Sequence, residues 1–260
     1  MTYNIHKGIG GVDRRYDLQR IIDVIRHYQP DIAFLQEVDD GVQRSQNDRQ
    51  VELLADALGF PHLSFQNNVA VQDGHYGNAI LSRYPLGDQL DLDLKVSIKK
   101  TRRALITRAE VPIGTEIQPM LLCNTHLGLS GFERSVQIKR ILTLDDLNEL
   151  SLPFIVGGDF NDVWEEHGRK LMFPLGFQSA VGNAKTFPAA LPVRSLDAIY
   201  YRGDLRLLDS FSGRNKLTRH ASDHLPVIAD FMLVGASGSR SNDSLLKLPS
   251  PFEQSIDDDE

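Results

Sequence analysis

Pro153-Phe154-Ile155-Val156-Gly157-Gly158-Asp159-Phe160-Asn161 is the stretch around which the chain is organised. Its first four residues have the length and β-branched content of a buried strand. Gly157 and Gly158 then end the run, and their missing side chains let backbone or ligand come near. Asp159 and Asn161 follow two residues apart. In extended chain they share one side, at the carboxyl end of the strand. Open α/β sheets receive their ligands in the crevice beyond such ends. A strand followed by an Asx turn is the plainer reading of the same residues.

Working outward, the same pattern recurs. Tyr3-Asn4-Ile5-His6 reads as a short strand end opening into the loop Lys7-Gly8-Ile9-Gly10-Gly11, and Ile32-Ala33-Phe34-Leu35 delivers Gln36-Glu37. Asn124-Thr125-His126-Leu127 ends another apolar run, and Asp197 lies in Ser195-Leu196-Asp197-Ala198-Ile199-Tyr200. Ser222-Asp223-His224-Leu225-Pro226 precedes the last strand. One such residue alone reads as a cap or a satisfied core polar group. Six such positions in one domain point to a shared site.

Helical spacing of Leu18, Ile21, Ile22, Ile25 and Tyr28, closed by Pro30, predicts a first helix. A second is expected over 48–58 with Val51, Leu54, Ala57 and Leu58 inward and Gly59 as its stop. A third is expected over 132–150 with Val136, Ile138, Ile141, Leu142 and Leu147 inward. Strands are predicted at 62–71, 77–83, 90–98, 101–112 and 117–126, then at 195–201, 205–211 and 226–233. Strands alternating with helices in both halves indicate one mixed α/β domain over residues 1–234. The Gly/Ser-rich segment after Val234 and the final acidic run predict a flexible C-terminal tail over 235–260, unless Leu245, Leu246 and Leu248 dock.

Composition narrows the class of partner. The 260 residues are 41% apolar and 24% charged, ordinary for a soluble globular chain. No apolar run is long enough to span a membrane, and no signal peptide is visible, so a cytoplasmic setting is expected. The single Cys123 lies in an apolar run and reads as a packed thiol. Of the net charge of −7, residues 235–260 contribute two basic against six acidic side chains, which leaves −3 on residues 1–234. That is not the balance of a protein that holds nucleic acid by charge alone. A divalent cation would supply positive charge locally.

The side chains at the strand ends are chemically coherent. Oxygens of Glu, Asp and Asn are hard ligands suited to Mg²⁺ or Mn²⁺. No paired cysteines and no His-Glu-x-x-His suggest zinc. Two histidines near carboxylates suit proton transfer or stabilisation of a phosphoryl oxygen. Together they point to hydrolysis of a phosphate ester.

In this order the motifs Thr2-Tyr3-Asn4-Ile5-His6, Gln36-Glu37-Val38, Gly77-Asn78-Ala79-Ile80-Leu81-Ser82, Thr125-His126-Leu127, Gly157-Gly158-Asp159-Phe160-Asn161, Leu196-Asp197-Ala198-Ile199-Tyr200 and Ser222-Asp223-His224 carry a resemblance. The chain resembles the endonuclease/exonuclease/phosphatase (DNase I-like) superfamily over residues 1–234. The Tyr3–Gly8 opening and Lys185-Thr186-Phe187-Pro188 look most like a bacterial subgroup of undefined substrate. The resemblance implies a four-layered α/β sandwich, two packed mixed sheets flanked by helices. It implies Glu37 as principal ligand of Mg²⁺ or Mn²⁺, assisted by Asn4 and Asp223. Asp159 would position or deprotonate the attacking water, and Asn161 would orient it or contact the phosphate. His126, and His224 held by Asp197, would neutralise the phosphoryl charge or protonate the leaving oxygen. Asn78 would contact phosphate.

A metal-dependent phosphodiesterase or phosphomonoesterase is the leading expectation, with a nuclease as first guess. The basic cluster Lys99-Lys100-Thr101-Arg102-Arg103 supports it and makes Arg103 a candidate substrate contact. Hydrolysis of a phospholipid, sphingolipid or inositol-phosphate headgroup is the alternative, although no amphipathic insertion stands out to dock a membrane. A catalytically inactive binding module would have eroded these side chains, and all of them are present.

Overall fold

The computed structural model describes residues 1–71, 73–96, 101–144, 152–163 and 165–234. The expected tail over 235–260 and its three leucines lie outside the described residues, as do Lys99, Lys100 and the end of the expected third helix.

Two six-stranded mixed sheets pack face to face. The strands are β1 (Thr2–Asn4), β2 (Ile32–Asp40), β3 (His62–Val71), β4 (Gly74–Ser82), β5 (Leu90–Asp93), β6 (Arg103–Ile113), β7 (Glu116–His126), β8 (Phe154–Asp159), β9 (Gln178–Ser179), β10 (Asp197–Arg202), β11 (Leu205–Ser212) and β12 (Val227–Leu233). The α-helices among the described residues are α1 (Leu18–Tyr28), α2 (Gln50–Leu58), α3 (Gly131–Leu142) and α4 (Lys216–Ala221). The first sheet has the order β11-β12-β1-β2-β4-β3 and the second β5-β6-β7-β8-β10-β9. Each has one parallel pair, β1 with β2 and β7 with β8. A parallel pair needs a crossover, and α1 and α3 supply the two.

Three apolar clusters define four layers. Ile21, Val24 and Ile25 of α1 and Leu54 of α2 pack on the outer face of the first sheet. Ile138 and Ile141 of α3 pack on the outer face of the second. Phe34, Ile80, Leu105, Leu122, Ile155 and Ile199 meet between the sheets. The four-layered α/β sandwich is therefore observed. Cys123 is fully buried in the outer core of the second sheet, and burial pushes its thiol up.

Several boundaries differ from the sequence expectation. Gly157 and Gly158 do not end the central strand; β8 runs through them to Asp159. A Cβ on Gly157 would sit 2.9 Å from the Phe34 ring, and one on Gly158 would sit 1.9 Å from the Thr125 carbonyl oxygen. The glycines are there for close packing of sheet on sheet and strand on strand. In α2 it is Ala55, not Ala57, that is buried. The strand expected over 90–98 stops at Asp93, and α4 was not expected. That helix is six residues long, too short for periodicity to declare it. Its Asn215 cap accepts from Thr218 N at 3.0 Å.

A buried amide joins the two sheets below the site. Asn124 of β7 donates to the carbonyls of Leu35 and Ala79, both at 2.8 Å, and accepts from Gln36 Nε2 at 2.8 Å.

Candidate active site

The strand register assembles the site. His126 pairs with Asp159 across the parallel β7–β8 ladder, and Asp197 pairs with Asp159 across β8–β10. Residues opposite one another share a face, so three ionisable side chains form one row across the second sheet. Asn4, at the end of β1, reaches this row from the other sheet, its Nδ2 donating to Asp159 Oδ2 at 3.0 Å. The same oxygen lies 3.4 Å from His126 Nε2 and 3.8 Å from His224 Nε2. His224 Nδ1 is 2.8 Å from Asp197 Oδ2, and the ring packs on Phe187 with centroids 4.9 Å apart. Ser222 Oγ donates to Asn4 O at 2.8 Å and accepts from His224 N at 3.2 Å, which ties the last loop to β1.

Asn161 does not continue the strand. It lies in left-handed backbone at φ 51°, with its N–H donating to Asp159 Oδ1 at 3.1 Å and its Nδ2 donating to Leu127 O at 3.1 Å. The Asx turn is thus formed at this site, and Asp159 is both a turn residue and the centre of the cluster.

Glu37 reaches the site by a different device. The β2–β4 register shifts between Leu35 and Val38, and Glu37 sits in that bulge at φ 58°. A bulge of this kind re-aims a side chain. Its carboxylate pairs with Lys7 Nζ. Asp223 Oδ1 is 3.7 Å from His6 Nδ1. Asn78 is fully buried on β4, and its Nδ2 donates to Arg103 O at 3.3 Å and Gln66 Oε1 at 3.4 Å. Of the expected residues, Asn4, His126, Asp159, Asn161, Asp197 and His224 form one contact cluster. Glu37 and Asp223 contact the Lys7 and His6 side chains, and Asn78 and Arg103 contact each other.

The electrostatics divide the two histidines. Burial, followed by the Arg102 charge, pushes His126 down to about 4. Burial also opposes charge on His224, yet Asp197, by charge and hydrogen bond, with Asp159 and Asp223, carries it up to about 10. At neutral pH His224 is a cation and His126 is not. Burial pushes the Asp159 carboxyl above the usual carboxylate range. It acts in the same direction on Glu37, but His126, Lys7 and His6 outweigh it and hold that carboxyl well below the range.

Sequence reasoning missed Lys7, Tyr76 and Arg102. Tyr76 lies beside Glu37 and immediately precedes the Gly77-Asn78 motif. Arg102 belongs to the basic cluster, and its charge acts on His126. Alternation within an edge hairpin could not select one arginine over its neighbour.

Asp159, Asp197 and His224 offer ligand atoms within 4.8 Å of one another. Asp197 Oδ1 and Thr125 Oγ1 are buried without a partner among the described residues. An oxygen-rich cluster with no thiolate fits a hard divalent cation. Asp197 Oδ2 and His224 Nδ1 are engaged with each other, Glu37 Oε2 with Lys7 Nζ, and the Asp159 oxygens with Asn4 Nδ2 and the Asn161 N–H, so a cation entering here would take oxygens that protein donors now occupy.

Two stacked mixed sheets with a carboxylate–histidine row at their strand ends define a class. A profile of the Endonuclease/Exonuclease/phosphatase family matches residues 1–224, and the chain belongs to that family of nucleases and phosphatases. It is 33% identical over 252 residues to YbhP of Escherichia coli (strain K12), across 90% of this chain and 95% of YbhP. A conserved protein of Enterococcus faecalis V583 superposes with a TM-score of 0.72 at 20% identity, over 90% of this chain and 98% of that one. The human Nocturnin catalytic domain with a bound sulfate anion gives 0.67 at 23% identity, over 89% and 92%. A mannosyl-6-phosphatase of Bacteroides thetaiotaomicron VPI-5482 gives 0.64 at 15% identity, over 89% and 98%. At these identities the likeness establishes the fold.

Proposed function

We propose that the chain is a Mg²⁺- or Mn²⁺-dependent phosphoesterase, with phosphodiesters, nucleic acid among them, as the first substrate class. The observation that carries this reading is the convergence on Asp159 Oδ2 of Asn4, His126 and His224, with Asp197 behind His224. Glu37 would hold the ion, with Asn4 Oδ1 and Asp223 as further oxygen donors. The bound cation supplies Lewis acidity and neutralises phosphoryl charge.

The residues perform the remainder. Asp159, whose raised proton affinity makes it a better base, takes the proton of the attacking water. Asn161, fixed by its turn, orients that water. The water oxygen bonds to phosphorus as the ester P–O bond breaks, and the departing oxygen takes a proton from solvent. His224 donates from Nε2 to a phosphoryl oxygen where negative charge grows, and Asp197 keeps the ring protonated. His126 enters uncharged and contributes a hydrogen bond, not a charge. Asn78 of β4 and Arg103 of β6, joined across the two sheets by the Asn78 Nδ2 to Arg103 O hydrogen bond, would border the substrate.

A lipid headgroup is the second reading. Leu129 and Phe132, in the segment that follows His126, are 76% and 73% exposed. A substrate panel with Mg²⁺ and Mn²⁺ tests the function: plasmid DNA, abasic DNA, RNA, inositol phosphates, sphingomyelin vesicles, a sugar 6-phosphate and nitrophenyl phosphates. Turnover of none of them would sink it. Glu37→Gln removes a charge and a ligand together, so metal binding and turnover should fall together. Calorimetry with unchanged Mg²⁺ affinity would remove Glu37 from the ion.

A further inference from the structure

Lys7 and Glu37 face each other from two separate left-handed positions, at φ 62° and 58°. Non-glycine residues held there mark sites where the surrounding fold over-determines the backbone. One side chain holds both segments. Gln50, fully buried, donates from Nε2 to Lys7 O at 2.8 Å and accepts at Oε1 from Asp39 N at 2.9 Å. The Lys7 ammonium pairs with Glu37 Oε2, with the two side chains 16% and 18% exposed, and lies 5.6 Å from the Tyr76 ring centre. Arg44, on the same ring at 5.4 Å, is already engaged with Asp39. The backbone of Lys7 is therefore clamped, while its ammonium rides on a flexible four-carbon stem.

We propose that Lys7 is the exchangeable cation of this site: its ammonium occupies Glu37 when no divalent ion is bound, leaves when one binds, and then meets a phosphoryl oxygen of the substrate. The inference rests on Glu37 being the metal ligand. Two cations cannot both sit in contact with one carboxylate oxygen without strong mutual repulsion. Lys7 therefore sets the metal affinity from below and keeps a partly buried carboxylate partnered in the metal-free protein.

Calorimetric titration with Mg²⁺ of wild type, Lys7→Met and Lys7→Arg tests this. Lys7→Met should bind Mg²⁺ about tenfold more tightly, the change expected when one charge-assisted pair is removed from the competing state. Lys7→Arg should bind no more tightly than wild type. In EDTA Lys7→Met should melt below wild type, and saturating Mg²⁺ should close the gap. Its KM for an active substrate should rise. Equal or weaker Mg²⁺ binding by Lys7→Met overturns the exchange and leaves the metal site standing. Absence of Mg²⁺ binding in wild type and Lys7→Met alike overturns both. Should Lys7→Met not fold, the ¹³Cε resonance of Lys7 in labelled wild type must move on Mg²⁺ addition, and a fixed resonance refutes the proposal.

Discussion

Asp197 and His224 lie 27 residues apart in sequence and 2.8 Å apart in space, and the carboxylate governs the charge of the ring. His224→Ala should lower kcat by at least ~10²-fold, the low end for a positioned electrostatic group. Asp197→Asn should cost a similar factor with the fold intact. The double variant should lose little more than either single one, because one group acts through the other. Fully additive losses in kcat/KM would show that the two work independently. Charge also links the site to stability. The folded-state value of His224, about 10, lies above that of a free imidazole, ~6.5. Its contribution is fully present below pH ~6.5 and is lost as pH rises through about 10. His126 is displaced the other way, to about 4, so its contribution is present above pH ~6.5 and lost as pH falls through about 4. In metal-free buffer, urea midpoints should peak near pH ~6.5 and decline on either side. His224→Gln should flatten the alkaline limb, and an unchanged limb would refute the assignment.

Among the elements, β8 carries the tightest geometric demand. Gly158 lies where any Cβ would fall 1.9 Å from the Thr125 carbonyl oxygen, a backbone atom in the parallel neighbour. The strand cannot yield without moving Asp159 out of register with His126 and Asp197. Gly158→Ala should therefore cost ~3 kcal/mol or more, at the upper end for overpacking. Chemical denaturation measures it, and a loss below ~1 kcal/mol would mean that the ladder tolerates displacement. The bulge at Glu37 is the complementary device: β8 delivers its carboxylate by regular register, whereas β2 delivers its own by breaking it.

For the whole molecule, alignment of the two sheets is what brings Asn4 to Asp159. Asn124 bridges them at three points, and all its partners are inside the sandwich. Asn124→Ala removes the side-chain donor from the Leu35 and Ala79 carbonyls, while Gln36 Nε2 keeps Thr2 Oγ1 and Phe34 O; a buried group left unpaired is worth ~1–3 kcal/mol. A stability loss of about 3 kcal/mol or more is expected, with kcat falling as well because the halves of the site lose alignment. A stable variant with full activity would show that apolar packing alone fixes the sheets. A cavity of about 340 Å³, lined by Met1, Tyr28, Ile32, Phe34, Met120 and Ile155 among others, lies at the opposite end of the sandwich. It takes no part in this alignment.

Local pattern made much of the molecule legible. Helix α1 was evident because Leu18, Ile21, Ile22 and Ile25 repeat at helical spacing and are all buried. The strands ending at Asn4 and His126 were evident because apolar runs stopped at polar residues, and the run before Gly157 marked the central strand but not its end. The pairing of Asp197 with His224 was expected from the family resemblance, and the two side chains do meet at 2.8 Å. By itself the sequence determined the mixed α/β class, the order of the elements and the residue types gathered at strand ends. Only the tertiary structure decided that β8 passes through its glycines, that Glu37 turns on a bulge, that Lys7 meets it, and that Arg102 acts on His126. The physical reason is range. Periodicity and turn chemistry act over a few residues, whereas close approach, burial and charge at the site depend on atoms brought together from strands as far apart as Asn4 and Asp159.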